Sequence, residues 1–154
     1  MNADMEKRKE ELKINLNRKR IVEELSEYLI LQPDSFFSVD DTFVLQTELF
    51  EKVDSLNSFK VLEKDISDNL KEVYDLKKFF KDYLSQKAVL FYHKACDYGA
   101  IEIFIKDFFE NIEQLAYFTK FKDGYSDLIL VDRELKFGLC VERNEYVNKL
   151  TFWL

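Results

Sequence analysis

Histidine, proline, glycine and cysteine are all scarce in this chain of 154 residues, which has 1 His, 1 Pro, 3 Gly and 2 Cys. A single histidine excludes a metal site built on two histidines, and three scattered glycines exclude a glycine-rich phosphate loop. Cys96 and Cys140 lie far apart in the sequence, so we expect reduced, buried thiols rather than a disulfide. Composition therefore favours a binding protein over an enzyme, with no metal and no cofactor.

Long apolar runs are absent as well. The longest, such as residues 28–31, span only a few residues, whereas a membrane helix requires about 18 to 20. The first seven residues are charged and lack the apolar segment of a secretory signal. These absences predict a cytoplasmic protein that does not contact membranes.

Charge is distributed unevenly along the chain. Thirty Asp and Glu residues oppose 23 Lys and Arg residues, a net charge of −7, which argues against direct nucleic-acid binding. The first 20 residues, here called the N-terminal arm, carry a net charge of +3. A solvated helix with internal ion pairs explains such an arm, and a basic contact with RNA or lipid is the alternative.

The length and the absence of a flexible linker predict a single domain over residues 1–154. Its predicted parts are the charged helical arm (1–20), a mainly helical region (21–116) and a region of antiparallel strands (117–154). Aromatic residues make up 16% of the chain and most are Phe, which is typical of a large aromatic core.

Apolar residues at helical spacing predict four helices. Pro33 ends the first, because the residue before a proline is kept out of the α region. Ser38 and Asp41 resemble a capping box for the second, and Asp65 can cap the third. The predicted helices cover residues 4–31, 40–56, 66–85 and 100–116.

In residues 117–154, short apolar segments alternate with short polar segments, which is typical of strands joined by turns. Asp123 and Gly124 predict a type I′ hairpin, and the other connections are also short, so consecutive strands should pair antiparallel. The result is an α+β fold, with N-terminal helices packed on a C-terminal antiparallel β-meander. The predicted strands cover residues 88–93, 117–122, 127–131, 136–142 and 146–154.

Few residues offer catalytic chemistry. His93 and Cys96, three residues apart beside Asp97, could form a nucleophilic pair or part of a zinc site. Zinc would need further ligands that this sequence hardly supplies, so a structural histidine is the favoured interpretation. Asp123, Asp127 and Asp132 could bind a cation only if their turns converged.

Acidic side chains are abundant instead. From Asp34 to Asp75 there are eleven acidic and four basic residues, a net charge of −7, and residues 97–113 form a second acidic series. Such surfaces keep a protein soluble, or they attract a basic partner by electrostatic steering. The candidate partner-binding carboxylates are Glu48, Glu51, Asp54, Glu102, Glu110 and Glu113.

The segment from Asp127 to Tyr146, DLILVDRELKFGLCVERNEY, together with the later Phe152-Trp153 pair, resembles small bacterial immunity proteins. These proteins are the cognate inhibitors of polymorphic toxins, including those of contact-dependent inhibition systems. The resemblance implies a cytoplasmic antitoxin that binds one toxin domain. Its acidic surface would cover the basic active site of a nuclease, and Tyr146 and Trp153, at an exposed edge, would supply aromatic contacts.

Three other functions fit the sequence less well. A phage-encoded acidic inhibitor that mimics nucleic acid would share this composition, and an adaptor or oligomerisation protein could use the N-terminal helix. An enzyme centred on His93 and Cys96 is the least favoured. The oligomeric state is not predicted by the sequence.

Overall fold

The computed structural model describes residues 2–154, which contain six α-helices and six β-strands, and Met1 of the predicted arm lies outside these residues. Short 3-10 turns occur at residues 33–35, 76–78 and 81–83. The helices are α1 (Asn2–Glu24), α2 (Val39–Ser55), α3 (Ile66–Asp75), α4 (Ala95–Tyr98), α5 (Ile105–Glu110) and α6 (Ile112–Phe118). The strands are β1 (Lys60–Leu62), β2 (Lys87–Leu90), β3 (Ile101–Phe104), β4 (Leu128–Val131), β5 (Gly138–Arg143) and β6 (Asn148–Trp153).

All six strands form one sheet in the order β1-β6-β5-β4-β2-β3, and every neighbouring pair is antiparallel. The predicted meander is confirmed as β4, β5 and β6. The other three strands come from the middle of the chain and extend the meander on both sides. The α+β class, with helices packed on an antiparallel sheet, is therefore confirmed.

The central strands are buried on both sides. All four residues of β4 are buried, as are the first four of β5. The sequence of a strand that is covered on both faces is a nearly continuous apolar run, because neither face is in contact with water. The buried apolar residues form one cluster that extends from Ile21 to Trp153.

Helices α2 and α3 lie on opposite faces of the sheet. Ile129 and Cys140 are paired across β4 and β5, and Ile129 lines a cavity together with Phe50 of α2. Asn148 points to the other face, where its side-chain amide donates to Asn69 Oδ1 of α3 at 3.0 Å. The acidic segment that runs through both helices is thus divided between two sides of the molecule.

The first helix is shorter than the predicted 4–31 and ends at Glu24. The Ser26 hydroxyl donates to the carbonyl of Glu23 at 2.7 Å. A serine that bonds to the backbone in this way competes with the helical ladder. The chain therefore leaves the helix well before Pro33.

The helix predicted over 66–85 is also shorter, because α3 ends at Asp75 and two 3-10 turns follow. Leu76 and Phe80 remain buried beyond that point. The apolar spacing thus continues after the α-helical hydrogen bonding has stopped.

The single helix predicted over 100–116 is wrong. Its first part is strand β3, in which Ile101 and Ile103 are both buried and pair with β2. Helices α5 and α6 follow, separated at Asn111, whose φ of −124° is not helical. In the sequence, Ile101, Ile103 and Ile105 alternate as in a strand, although the longer helical spacing of this segment favours a helix. Pairing with β2 decided between the two patterns.

The strand predicted over 117–122 is wrong as well, because this segment contains the end of α6 and a turn. Phe118 and Phe121 are both buried, and their spacing of three residues does not fit the alternation of a strand. A type I′ hairpin needs positive φ at two residues. Gly124 has φ +86° but Asp123 is not positive, so no such hairpin forms. The other predicted helix and strands correspond to α2, β2, β4, β5 and β6, with shifts of a few residues at their ends.

Among residues 2–154, no helix combines the length and apolar character needed to cross a membrane.

Candidate functional site

Helix α2 begins at a well-formed cap. The Ser38 Oγ accepts a hydrogen bond from the Asp41 amide at 3.0 Å, as the sequence predicts. Asp40 and Asp41 lie in the first turn and Lys52 in the last, where their charges complement the helix dipole. The helix is therefore stabilised locally at both ends.

One side of α2 is fixed against the rest of the fold. The hydroxyl of Thr42 donates to the Ser38 carbonyl at 2.8 Å and accepts from the Ala100 amide at 2.9 Å. Burying each large apolar side chain contributes about 1.5–3 kcal/mol. The residues of this helix that are buried are Thr42, Leu45, Leu49 and Val53.

The opposite side of α2 is open and acidic. Phe43 and Val44 are 62% and 54% exposed, although both are apolar. The helix contains five carboxylates and one lysine. In the part of the chain that the structure describes, none of these carboxylates is in an ion pair within 4 Å. We call this surface the acidic face of α2, and its residues are Asp40, Phe43, Val44, Glu48, Glu51 and Asp54.

A shallow groove of about 370 Å³ follows this face on one side. Val44 and Glu48 line it from the helix, and Arg133 lines it from the turn after β4. The Arg133 guanidinium lies 5.0 Å from the centre of the Phe37 ring and donates through Nε to Glu102 at 3.2 Å. The groove therefore contains an arginine that is already paired, while Glu48 has no such partner.

Three of the six predicted carboxylates come together on α2, namely Glu48, Glu51 and Asp54. Glu102, on the edge strand β3, forms an ion pair with Arg133. Glu110 lies on α5, where it pairs with Lys106 at 3.8 Å.

Glu113 is exposed on α6, and α6 contacts α3 on the other side of the sheet. The second acidic series therefore does not extend the acidic face of α2.

The two predicted aromatic contacts differ from each other. Tyr146 is 80% exposed, in the turn between β5 and β6. Trp153 is buried, contrary to the expectation of an exposed edge, and its indole N–H donates to the Leu135 carbonyl at 2.9 Å. Gly138 makes room for it, because a Cβ at this position would lie 2.9 Å from the indole ring. Trp153 is thus a core residue.

Phe43 and Val44 were not among the contact residues predicted from the sequence. A signal for them was present: both are apolar, yet both fall off the helical stripe that Leu45 and Leu49 follow. A large apolar residue on the polar side of an amphipathic helix is a candidate contact for another molecule.

The pKa shifts of His93 and Cys96 are opposite to those of an activated nucleophilic pair. Cys96 is exposed, contrary to the expectation of two buried thiols, whereas Cys140 is buried. The Cys96 thiol donates to Oε1 of Gln46 at 3.3 Å, and partial burial together with the charge of Asp97 raises its pKa. Burial and the nearby cations Lys120 and Lys94 lower the pKa of the His93 imidazole. An activated thiol requires the opposite shift, a lowered thiol pKa beside a protonated histidine.

Two aspartates of the C-terminal turns accept hydrogen bonds from backbone amides. Asp127 Oδ1 accepts from the Arg143 amide at 2.9 Å, and burial raises the pKa of the Asp127 carboxyl. Asp132 Oδ2 accepts from the amides of Glu134 and Lys136. Residues 2–154 contain no group of three His, Cys, Asp or Glu side chains arranged to hold a metal ion.

Comparison with known proteins identifies one family. The family model described as YxiF protein matches residues 21–153, which is most of the chain, so the chain belongs to the YxiF family. No curated protein and no solved structure matches it significantly.

Proposed function

We propose that this member of the YxiF family is a non-enzymatic cytoplasmic immunity protein that binds and neutralises one cognate bacterial toxin domain. The toxin we propose is a nuclease, whose basic active site is covered by the acidic face of α2. The observation that carries this proposal is the arrangement on that face: Glu48, Glu51 and Asp54, which have no ion pair among residues 2–154, lie on the same side of the helix as exposed Phe43 and Val44.

The charge of this surface suits a nuclease partner. A nuclease must attract phosphate, so the surface around its active site is positive, and a negative field opposite it raises the association rate. Carboxylates outside ion pairs are better suited to this role than paired ones, because no cation in direct contact with them neutralises their charge. The effect weakens as salt rises, since charges are screened over about 8 Å at physiological ionic strength.

The exposed apolar residues supply the second requirement, which is affinity. Charges at the rim of an interface mainly set the rate and specificity of binding, whereas a few buried aromatic side chains contribute most of the binding energy. Phe43 meets this description better than Trp153, which the fold itself buries. We therefore assign the aromatic contact to Phe43, and Tyr146 remains a predicted contact outside this face.

The test compares two triple charge reversals in the tagged full-length protein. The first is Glu48→Lys, Glu51→Lys and Asp54→Lys. The matched control is Asp68→Lys, Asp75→Lys and Asp82→Lys, which changes the net charge equally at exposed positions outside α2. Partners are captured from the native host at low and at high salt, and the captured domain is then expressed alone.

We expect a basic domain that arrests growth and that is captured by the wild type and the control much more efficiently than by the α2 variant. Co-expression of the wild type or the control should restore growth. At low salt the α2 variant should associate at least about tenfold more slowly. A partner that is not toxic, or a toxin that binds the α2 variant as well as the control, would contradict the proposal. Capture of a nucleic-acid-binding host or phage protein that is not a toxin would favour the acidic inhibitor instead.

A further inference from the structure

The N-terminal arm carries apolar side chains on a side that its own fold does not cover. Met5, Leu12 and Leu16 are 55%, 69% and 52% exposed. They are seven and four residues apart, so at 3.6 residues per turn they fall within about 40° of one another around the helix. We call these three residues the outer stripe.

The outer stripe lies opposite the side of α1 that packs on the domain. Ile21 and Leu25, which are buried, are rotated by roughly 160° to 200° from Met5 around the helix axis. Arg18 is on the packed side as well, where it donates to the carbonyls of Tyr98 and Phe37. The helix is therefore anchored by one side, and its apolar stripe is turned away from the domain.

The fold does not account for the stripe. Residues 2–13 are all exposed, and Ile21 is the first buried residue of α1. The family match also begins at residue 21. Spacings of seven and four residues are those of a coiled-coil seam, where each apolar side chain needs a second helix to cover it.

We propose that the outer stripe pairs with the same stripe of a second copy of this chain, with the two helices antiparallel. The charges of the arm favour this occupant and this orientation. Residues 2–11 carry a net charge of −1 and residues 12–20 a net charge of +4. An antiparallel pair places each negative half beside a positive half, whereas a parallel pair would bring the two positive halves together.

The antiparallel register makes two specific kinds of contact. Leu12 of each copy packs against Leu16 of the other, and Glu6 lies beside Arg20 of the other copy. In this register Lys9 of each copy lies opposite Lys19 of the other, so their aliphatic stems cover the leucines while the two ammonium groups turn away from each other into water. Because each domain packs on the far side of its own helix, the two domains lie outside the helix pair.

The first experiment measures the mass of the full-length protein by sedimentation equilibrium, from about 10 to 500 µM, a range that detects micromolar dissociation constants. We expect a shift from 18.5 kDa towards twice that mass as concentration rises. The variant Leu12→Gln with Leu16→Gln should remain monomeric. Both side chains are exposed, and Gln is a good helix former, so folding should not change.

The matched control is Ile30→Gln with Val61→Gln, which removes two exposed apolar side chains outside the outer stripe. It should dimerise like the wild type. A monomer at all concentrations overturns the proposal, and so does a dimer that persists in the Leu12 and Leu16 variant. Toxin binding is a separate property of α2, so either result leaves it unaffected.

The orientation is tested by charge exchange. The symmetric dimer contains the contact between Glu6 and Arg20 twice, and each single substitution removes both copies. Glu6→Lys alone and Arg20→Glu alone should therefore each weaken dimerisation by at least about threefold. Combining the two substitutions should restore it. Failure of the combination to restore dimerisation would overturn the antiparallel arrangement.

Discussion

Helices α2 and α3 have the same acidic character in the sequence but use it differently in the fold. On α3, Asp65 caps the helix by accepting from the Asp68 amide at 3.0 Å, and Glu72 pairs with Lys60 at 2.6 Å. On α2, Glu48, Glu51 and Asp54 have no ion-pair partner among residues 2–154. Asp65 and Glu72 are thus used by the fold, whereas Asp68 and Asp75 of α3, like the three carboxylates of α2, have no ion-pair partner among residues 2–154.

The two helices also differ in how they meet the sheet. The α3 side includes a buried polar contact: the Asn69 amide donates to the carbonyls of Glu63 and Asp65 at 2.6 and 2.5 Å, and Asn69 Oδ1 accepts from Asn148. Both asparagines are buried. The α2 side relies mainly on apolar packing, with Thr42 as its buried polar residue. Substitutions of the buried asparagines on the α3 side should therefore affect stability, and substitutions on the exposed side of α2 should affect binding.

The largest effect on stability should follow from Asn69→Leu. The substitution removes three hydrogen bonds and leaves the buried Asn148 amide unsatisfied, so we expect a loss of about 2–3 kcal/mol in the free energy of unfolding. Urea unfolding measures it. Adding Asn148→Leu should recover part of the loss, because both partners of that contact are then apolar. If the free energy of unfolding of Asn69→Leu lies within about 0.5 kcal/mol of the wild-type value, the buried asparagine contact does not stabilise the α3 side.

The next effect should be seen in binding rather than in stability. Phe43→Ala removes the exposed ring from the acidic face of α2, and we expect it to weaken toxin binding by about 2 kcal/mol, or roughly thirtyfold. Its free energy of unfolding should change by less than about 0.5 kcal/mol. Tyr74→Ala, at an exposed aromatic residue of α3, is the matched control and should bind normally. Calorimetric titration with the captured toxin domain distinguishes the two.

The smallest effect concerns the carboxyl group of Glu142 on β5, whose pKa is influenced by Asp54 of α2. Burial, and the charges of Asp127 and Asp54, raise the pKa of Glu142 despite the opposing effect of Lys149. Its Oε1 has no hydrogen-bond partner in the described chain. A carboxyl whose pKa is raised by folding is disfavoured once it ionises, so the stability it contributes at low pH is lost as pH rises through its unfolded and then its folded pKa.

Glu142→Gln should therefore raise the free energy of unfolding at pH 7, and the gain should vanish below about pH 4, where the wild-type carboxyl is protonated in both states. Denaturant unfolding at several pH values measures this difference. A gain that does not depend on pH would mean that charge is not its cause. Asp54→Asn should produce a smaller change in the same direction.

Much of this fold could be predicted from local signals. The N-cap of α2 at Ser38 depends on residues three apart, and the meander of β4, β5 and β6 depends on apolar runs between short polar turns. The predictions of secondary structure failed where local signals conflicted. Ile101 and Ile103 belong to both a strand pattern and a helical one, and the choice was made by pairing with β2, a contact outside the segment.

The candidate site was predictable in part, for the same reason. The carboxylates of α2 could be selected from the sequence because each residue on a capped amphipathic helix has a defined side. Trp153 could not be assigned correctly, since its burial depends on the space left by Gly138 and on the carbonyl of Leu135. Both of these residues precede it by more than ten positions.

The α+β class, helix α2 and the strands of the meander follow from local signals in the chain, because periodicity, caps and turns act over a few residues. The division of one acidic segment between two faces of the sheet, and the burial of Trp153, arise only in the folded molecule. The fold also decides that the outer stripe of α1 points away from the domain. Each of these depends on which distant residues meet, and contacts between distant residues leave no periodic signal in the chain.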